Sequence, residues 1–185
     1  MRIPPVSLMT PRLLLRPHKE TDISALTAAL NDFEVARCLR NVPHPFTETH
    51  ARERLAASAK GAIDGLTQTF AVVRLHDQRF IGGVGLAFDE SGLVASLGYW
   101  IARDEWRHGY ARESVQRVVQ YAFTERSPSL LRMEAHVHVG NDASRRVLAA
   151  CAFCEITIEE IYDCGFDEER RAHRYEIDRS RALSS

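Results

Sequence analysis

Small and basic residues come together in residues 99–113, which read YWIARDEWRHGYARE. A predicted strand ends at Ile101, and Gly109 and Ala111 open a predicted helix. Small residues let a ligand approach the backbone, and the first N–H groups of a helix have no partner inside it. The helix dipole adds about half a positive charge at this end, where three basic side chains also stand: Arg107, His108 and Arg112. These features predict a diphosphate site. The alternative is a helix that begins with glycine and has a solvated basic face.

The elements that must position this stretch follow from the hydrophobic periodicity, which alternates between two and 3.6 residues. It predicts strands over residues 12–16, 70–75, 79–88, 93–101, 131–139, 155–161 and 171–177. Helices are expected after Thr21, over 33–40, after Thr47, over 109–126, and from Asn141 through Cys151. This order predicts a mixed α/β or α+β domain with helices on both faces of the sheet.

Length and composition narrow the class of protein. A chain of 185 residues fits one domain, and 45% hydrophobic with 26% charged residues is typical of a globular core. A net charge of −1 favours neither nucleic acid nor an anionic membrane as partner. No apolar run approaches the roughly 18–20 residues of a membrane span, and the N-terminal residues show no signal-like apolar region. We therefore expect one cytoplasmic domain over residues 1–185.

Two patterns raise the question of a metal. Glu134, His136 and His138 share one strand face, but no third ligand is placed by the spacing, so polar cover of a half-exposed strand is preferred. Cys151 and Cys154 form a C-x-x-C without a second pair, which favours packing over zinc binding. We expect no metal.

Several motifs in the right order resemble the GNAT superfamily of N-acetyltransferases. Residues 106–111, Trp-Arg-His-Gly-Tyr-Ala, are similar to its motif A, [Q/R]-x-x-G-x-[G/A], with Trp106 in place of Gln or Arg. That aromatic residue, the G-Y-W-I strand at 98–101 and the N-x-x-S-x-x-V-L helix at 141–148 look like the branch that acetylates ribosomal-protein N-termini. Residues 10–17 and the P-x-P-F loop at 43–46 match as well. The resemblance covers about residues 10–177 and implies a mixed, mostly antiparallel sheet of six to seven strands.

The resemblance also implies roles for individual residues. Backbone N–H groups of residues 107–111, flanked by Trp106 and Arg112, would hold the pyrophosphate of acetyl-CoA. The N–H of Ile101 would act as oxyanion donor, Asn141 would bind the pantetheine arm, and Ser144 is the candidate acid for the leaving thiolate. Other branches use a tyrosine where this chain has Leu148. Tyr99 and Phe46 are expected on the acceptor side, although Phe46 could instead pin its loop.

One departure from the branch bears on the acceptor. Ser96 stands where the branch often has a glutamate that accepts the amine proton. Serine is no base by itself, so a water held by Ser96, Glu134 or His136 would receive the proton. A lysine of pKa ~10.4 costs ~4.6 kcal/mol to neutralise at pH 7, against ~1.2 kcal/mol for an α-amine of pKa ~7.9. We therefore expect an acetyltransferase that acts by direct attack on a peptide N-terminus or small amine, and that could form a homodimer. The alternative is an idle CoA-binding sensor or interaction module.

Overall fold

The computed structural model describes residues 6–184. The first half of this range contains, in order, β1 (Leu8–Met9), β2 (Leu13–Arg16), α1 (Ile23–Leu30), α2 (Phe33–Ala36), α3 (Glu48–Asp64), β3 (Thr67–Arg74) and β4 (Phe80–Phe88). The second half contains β5 (Val94–Ile101), α4 (Tyr110–Tyr121), β6 (Arg132–His138), α5 (Asp142–Ala150), β7 (Cys154–Asp163), β8 (Glu168–Asp178) and α6 (Arg179–Ala182). Short 3-10 turns, Glu20–Asp22 and Arg103–Glu105, precede α1 and α4, and a π turn, Ala122–Arg126, extends α4.

Within the described range the strands form one eight-stranded sheet in the order β1-β2-β3-β4-β5-β6-β8-β7. Its neighbouring strands run antiparallel apart from β5 and β6, which are parallel. The predicted mixed sheet is confirmed, with one more strand than the six to seven expected. The additional strand, β1, pairs Leu8 with Leu15. Two residues are too few to show a periodic pattern, which is why the sequence did not indicate it.

Local capping residues stand at both ends of α3, whereas the C-terminal end of α2 depends on tertiary contacts. Thr47 caps α3 by accepting a hydrogen bond from the His50 amide (3.4 Å), and α3 ends at Gly65 in the left-handed region (φ 80°). The helix predicted over 33–40 stops at Ala36. The carbonyl oxygens of Arg37 and Arg40 instead accept hydrogen bonds from the β7–β8 region, so tertiary contacts replace the last helical turn.

The core divides between the two faces of the sheet. One face packs against α4 and α5, and its fully buried side chains include Phe70, Phe123, Met133 and Leu148. The other face packs against α1–α3 around Leu26, Leu30, Phe46 and Trp100. Ala95, Leu97 and Ile101 of β5 belong to the α4 side, as the alternation in the sequence predicted. The two faces can therefore present different chemistry at one strand.

The parallel pair β5–β6 separates part of the way along. Its register joins Val94 to Arg132 and ends with Ser96 opposite Glu134. Beyond that pair β5 continues to Ile101 and β6 to His138. We call the opening between these two strand ends the β5–β6 gap; α4 begins beyond one side of it and α5 beyond the other.

Candidate active site

Backbone groups of β5 point into the β5–β6 gap. The amide of Ala102, just after the strand, donates to the Ile81 carbonyl of β4 (2.8 Å). In an antiparallel ladder, residues that bond to one neighbouring strand alternate with residues that face the other. The amides of Tyr99 and Ile101 therefore point toward the gap, past the last β5–β6 pair. The Ile101 N–H thus has the direction that an oxyanion donor at this edge requires.

The loop before α4 contains left-handed backbone at Arg107 (φ 66°) and Gly109 (φ 80°). Successive amides in such loops form concave sites that bind anions. Gly109 is the N-cap residue of α4 and brings no side chain to accept from the first helical amides. Those N–H groups face outward together with the exposed Arg107, His108 and Arg112. We call residues 107–111 of this loop the cradle; its helix-start amides and basic side chains are groups that suit an anion.

A clamp from the β1–β2 turn holds this loop in place. Glu113 of α4 accepts hydrogen bonds from the Thr10 hydroxyl (2.6 Å), the Arg12 amide (3.0 Å) and the Arg12 guanidinium (2.7 Å). Arg12 also donates to the His108 carbonyl (2.9 Å) and lies over the Tyr110 ring at 4.8 Å. Burial acts to raise the pKa of Glu113, but the bonds from Thr10 and Arg12 outweigh it and hold that pKa below its usual value. The two motifs, residues 10–17 and 106–113, thus contact each other directly.

Trp106 connects the loop back to the end of β5. Its indole Nε1 donates to the Ile101 carbonyl (2.7 Å), and the side chain is 39% exposed. The bond fixes the angle at which the loop leaves β5. This placement gives the aromatic residue in the motif a structural role beside its expected cofactor contact.

Glu105 holds the start of the same loop against the β3–β4 hairpin, and the sequence did not indicate this role. It is 3% exposed and pairs with Arg74 (2.7 Å) and Arg79 (2.9 Å) of the β3–β4 hairpin. Its partners lie 31 and 26 residues earlier in the chain, so no local pattern marks the contact. The pairing ties the start of the loop to the antiparallel half of the sheet.

Ser144 lies in the first turn of α5, against Tyr99 of β5. The Tyr99 and Ser144 hydroxyl oxygens are 2.7 Å apart, and the Tyr99 hydroxyl also reaches the Ser144 carbonyl (3.1 Å). Asn141 caps α5 by accepting from the Ser144 amide (3.1 Å). Burial raises the pKa of Tyr99 well above its ordinary value, against the opposing hydrogen bond with Ser144. Helix cap, serine and tyrosine thus form one connected group beside the gap.

The two residues expected on the acceptor side do not share one pocket. Tyr99 turns toward α5, whereas Phe46 packs on the opposite face, in the cluster that contains Trp100. The two side chains lie on opposite faces of the sheet, because successive side chains of β5 alternate between faces. Phe46 is 4% exposed, and its amide donates to Asn31 Oδ1 (2.9 Å). It pins its loop and also borders a cavity of about 360 Å³ beside α3.

Ser96 and Glu134 stand side by side where the gap begins. They form the last register pair between β5 and β6 and project from the face opposite α4. Glu134 is hydrogen-bonded to Arg132 (2.9 Å). His136, the other candidate for holding a water, is engaged by Glu159 (2.8 Å). The carboxylate absent at position 96 is thus present one strand away, at the same level of the sheet.

A buried ion-pair cluster around Asp163 lies at the C-terminal end of β6. Asp163 of β7 is fully buried and accepts from Arg170 (3.1 Å) and from the Gly165 amide (2.9 Å), with His138 Nε2 at 3.5 Å. Arg170 also donates to the Arg37 carbonyl after α2 (3.0 Å). We call these residues the Asp163 cluster. It joins β6, β7, β8 and α2 on the side of the gap away from the cradle, and no local pattern in the sequence marks it.

Three findings bear on other chemistry that the sequence raised. Between residues 6 and 184, no group of three or more His, Cys, Asp or Glu side chains is arranged to hold a metal ion. Burial raises the pKa of the Cys151 thiol to about 11, which suits packing rather than nucleophilic attack. Over the same range, none of the helices combines the length and apolar character needed to cross a bilayer.

The mixed sheet, with one parallel pair that opens beside the N-terminus of α4, has the fold of solved acetyltransferases. The family model described as acetyltransferase (GNAT) domain matches residues 12–153, more than half of the chain. The protein therefore belongs to the GNAT family and is an acetyl-CoA-dependent N-acetyltransferase. The predicted enzyme class and family resemblance are confirmed.

Relatives and solved structures agree with this assignment. The uncharacterized N-acetyltransferase p20 of Bacillus licheniformis is 30% identical over 149 residues, covering 80% of this chain and 82% of p20. Spermidine N-acetyltransferase from Vibrio cholerae, solved with CoA and spermine, superposes with a TM-score of 0.77 at 22% identity and covers 94% of this chain and 99% of that one. RimL, a ribosomal L7/L12 α-N-protein acetyltransferase, gives a TM-score of 0.77 at 16% identity, with 94% of each chain covered. At these identities the two structures establish the shared fold.

Proposed function

We propose that this enzyme transfers the acetyl group of acetyl-CoA to a peptide or protein N-terminal α-amine or to a small amine of low pKa. The observation that carries the proposal is the β5–β6 gap, with the cradle of residues 107–111 at its open end and Glu134 beside Ser96 where it begins. A thioester bound along β5 would lie between phosphate recognition and a carboxylate. Transfer to an amine requires this arrangement, with the thioester between the groups that bind the phosphates and the group that accepts the amine proton.

On the donor side, the proposal assigns the pyrophosphate to the amides and basic side chains around Gly109. The amide of Ile101 would stabilise the oxyanion of the tetrahedral intermediate. Ser144 would donate a hydrogen bond to the departing sulfur, and Asn141 would hold the first turn of α5 while contacting the pantetheine arm. Direct attack needs no acyl-enzyme, and the raised pKa of Cys151 agrees with its absence from the chemistry.

On the acceptor side, Glu134 supplies the base that Ser96 cannot. A carboxylate acting through one water suits an amine that is already partly neutral near pH 7. An α-amine costs ~1.2 kcal/mol to deprotonate at that pH and a lysine ~4.6 kcal/mol. The difference of about 3.4 kcal/mol corresponds to roughly 300-fold in the population of the reactive form. The two structural neighbours are named for acceptors of different kinds, a protein α-amine for RimL and a polyamine for spermidine N-acetyltransferase.

Two peptides of matched length and one polyamine test the substrate class. One peptide has a free N-terminus and no lysine, a second has a blocked N-terminus and one lysine, and spermidine is the third. CoA release is followed between pH 6 and 9. We expect the free N-terminus to react at least 10-fold faster than the lysine peptide at pH 7. A faster lysine peptide would overturn the assignment, and turnover with spermidine alone would move it to small polyamines.

Glu134→Gln tests the base directly. We expect kcat to fall by about 10- to 100-fold, at the low end of the effects that general bases supply, with acetyl-CoA binding unchanged. Glu176→Gln is the matched control, because Glu176 faces Glu134 in register on β8, one strand further from the gap. Equal losses in the two variants would assign the effect to the charge of the sheet face instead.

Oligomeric state and location stay predictions: a homodimer in the cytoplasm. Light scattering during size-exclusion chromatography, with and without acetyl-CoA, would test the first. Fractionation of the source cells would test the second.

A further inference from the structure

Two hydroxyl groups meet at the edge of the β5–β6 gap on the side covered by α4 and α5. Tyr99 lies three residues beyond the last β5–β6 pair, and Ser144 lies in the helix that follows β6. Their oxygens are 2.7 Å apart. The pair therefore bridges the two sides of the gap at the level where β5 and β6 have separated.

The hydrogen atoms of this pair can be arranged in two ways. Tyr99 has one hydroxyl hydrogen and two acceptors within reach, the Ser144 hydroxyl (2.7 Å) and the Ser144 carbonyl (3.1 Å). If Tyr99 donates to the carbonyl, the Ser144 hydroxyl can donate back to Tyr99. If Tyr99 donates to the Ser144 hydroxyl, the hydrogen of Ser144 is free to point into the gap. An anion in the gap favours the second arrangement, because it gives that anion a donor.

From this geometry we infer that Tyr99 is a positioning residue that orients and polarises the Ser144 hydroxyl toward the sulfur of CoA. The inference rests on the proposed function and deepens it. When the amine nitrogen has bonded to the thioester carbon, the C–S bond breaks and its electron pair goes to sulfur. Ser144 donates a hydrogen bond to this thiolate while Tyr99 donates to Ser144. Neither hydroxyl loses its proton, and the proton released by the amine leaves on the acceptor side.

Three further observations support a donor role. Burial keeps Tyr99 protonated, because it raises the pKa of the phenol well above its ordinary value. Asn141 fixes the backbone of Ser144 from the other side by accepting its amide hydrogen (3.1 Å). The N-terminus of α5, whose dipole favours negative charge nearby, lies at the same place. Leu148, one turn further along α5, is buried and cannot donate.

The pKa of the thiol of bound CoA tests the inference without any acceptor. The thiolate is measured by its ultraviolet absorbance between pH 6 and 10, with acetyl-CoA, which has no free thiol, as the reference for the protein's own cysteines. A hydrogen bond to a charged group corresponds to about one to two pH units. We expect bound CoA to titrate about one unit or more below free CoA in the wild-type protein. In Tyr99→Phe the value should rise by about 0.5–1 unit, and in Ser144→Ala it should approach that of free CoA.

Controls separate polarisation from folding. Tyr121→Phe removes another buried hydroxyl, bonded to Gln68 (3.0 Å), and should leave the thiol pKa unchanged. Ser144→Thr is the second variant, for use if Tyr99→Phe proves unstable. It keeps a hydroxyl at position 144, so the thiol pKa of bound CoA should stay below that of free CoA. A wild-type value equal to that of free CoA, or equal values in wild type and Tyr99→Phe, overturns the inference. Failure of CoA to raise Tm at all would refute the proposed function as well, and is thus a distinct result.

Discussion

The two sides of the β5–β6 gap are built in different ways. On the cradle side, residues 107–113 form one continuous segment, and Thr10 and Arg12 of the β1–β2 turn hold it. On the other side, which we propose faces the acceptor, the Asp163 cluster joins side chains from β6, β7 and β8 with the backbone after α2. The first side consists mainly of backbone amides in one segment, and the second consists of side chains from segments far apart in the chain.

Because of this difference, a transferase can keep acetyl-CoA as its donor while its amine acceptor changes. A diphosphate is recognised by amides that any sequence with the right backbone angles can supply, so a few small residues and their supports define the site. An acceptor pocket made from several segments changes whenever one of its loops changes. If the two sides are as independent as their contacts indicate, a variant on one should leave the other substrate's binding intact.

The largest effect is expected from Gly109→Glu on the cradle side. The φ of 80° disfavours any side chain, the added Cβ would lie 3.4 Å from the Arg12 guanidinium, and the charge opposes the phosphates. We expect acetyl-CoA affinity to fall at least 100-fold. The wild-type rise in Tm, roughly 5–10 °C at about 100 times Kd, should then disappear. Thermal melts with and without acetyl-CoA measure this.

Gly92→Glu is the matched control for Gly109→Glu. Gly92 also has a positive φ (68°), but it lies in the β4–β5 turn with open space around its Cβ position. The control carries similar backbone strain and the same charge, so it should lose stability and keep the acetyl-CoA shift. If both variants lost the shift, the cradle would not be the phosphate site.

On the acceptor side, Asp163→Asn should lower stability by about 2 kcal/mol. Removing one partner of a buried ion pair costs about 3–5 kcal/mol, and the value is smaller here because Arg170 remains 25% exposed. KM for the amine should rise, while Kd for acetyl-CoA stays within about twofold of wild type. Glu168→Gln removes an exposed carboxylate from the same arginine and should cost no more than about 0.5 kcal/mol. A matching loss of acetyl-CoA affinity in Asp163→Asn would show that the two sides are coupled.

Glu113→Gln gives the mirror experiment on the cradle side, with a smaller expected effect. The amide keeps the shape and one acceptor oxygen but loses the charge that the Arg12 guanidinium meets at 2.6 Å. We expect a stability loss of about 1–1.5 kcal/mol and an acetyl-CoA Kd about fivefold higher, with KM for the amine unchanged. Chemical denaturation and calorimetry measure the two quantities. Unaltered Kd would mean that the clamp supports the fold without shaping the cradle.

The same contrast explains what the sequence could predict. Residues 99–113 are consecutive in the chain, so their spacing was enough to predict the strand, the loop and the helix. The motif within them indicated acetyl-CoA as the cofactor. Glu105 and Asp163 looked like ordinary surface acids, because their partners Arg74, Arg79 and His138 come from other parts of the chain. The alternation along β5 was predicted correctly, yet it could not say which face α5 would cover. For that reason the contact between Tyr99 and Ser144 could not be predicted.

The smallest effect concerns acid sensitivity on the acceptor side. His18 packs near Phe80, whose ring also contacts Trp100. Burial lowers the pKa of His18 to about 4; Asp22 opposes this, and Arg54 and Arg16 reinforce it. The unfolded chain, with a pKa near 6.5, binds the proton first, so stability falls as the pH drops from about 6.5 to 4. Allowing for partial solvent access, we expect about 1 kcal/mol or less from this group at pH 4.5.

His18→Gln should therefore flatten the dependence of the free energy of unfolding on pH between about 6.5 and 4 by that amount. His138 has a pKa lowered by burial as well and would keep the part of the slope that remains. Asp22, whose pKa is also lowered, contributes only below its ordinary value of 3.8 and stays outside this window. Urea denaturation at pH 7 and pH 4.5 measures the change. An unchanged slope in His18→Gln would assign the acid sensitivity to His138 and thus to the Asp163 cluster.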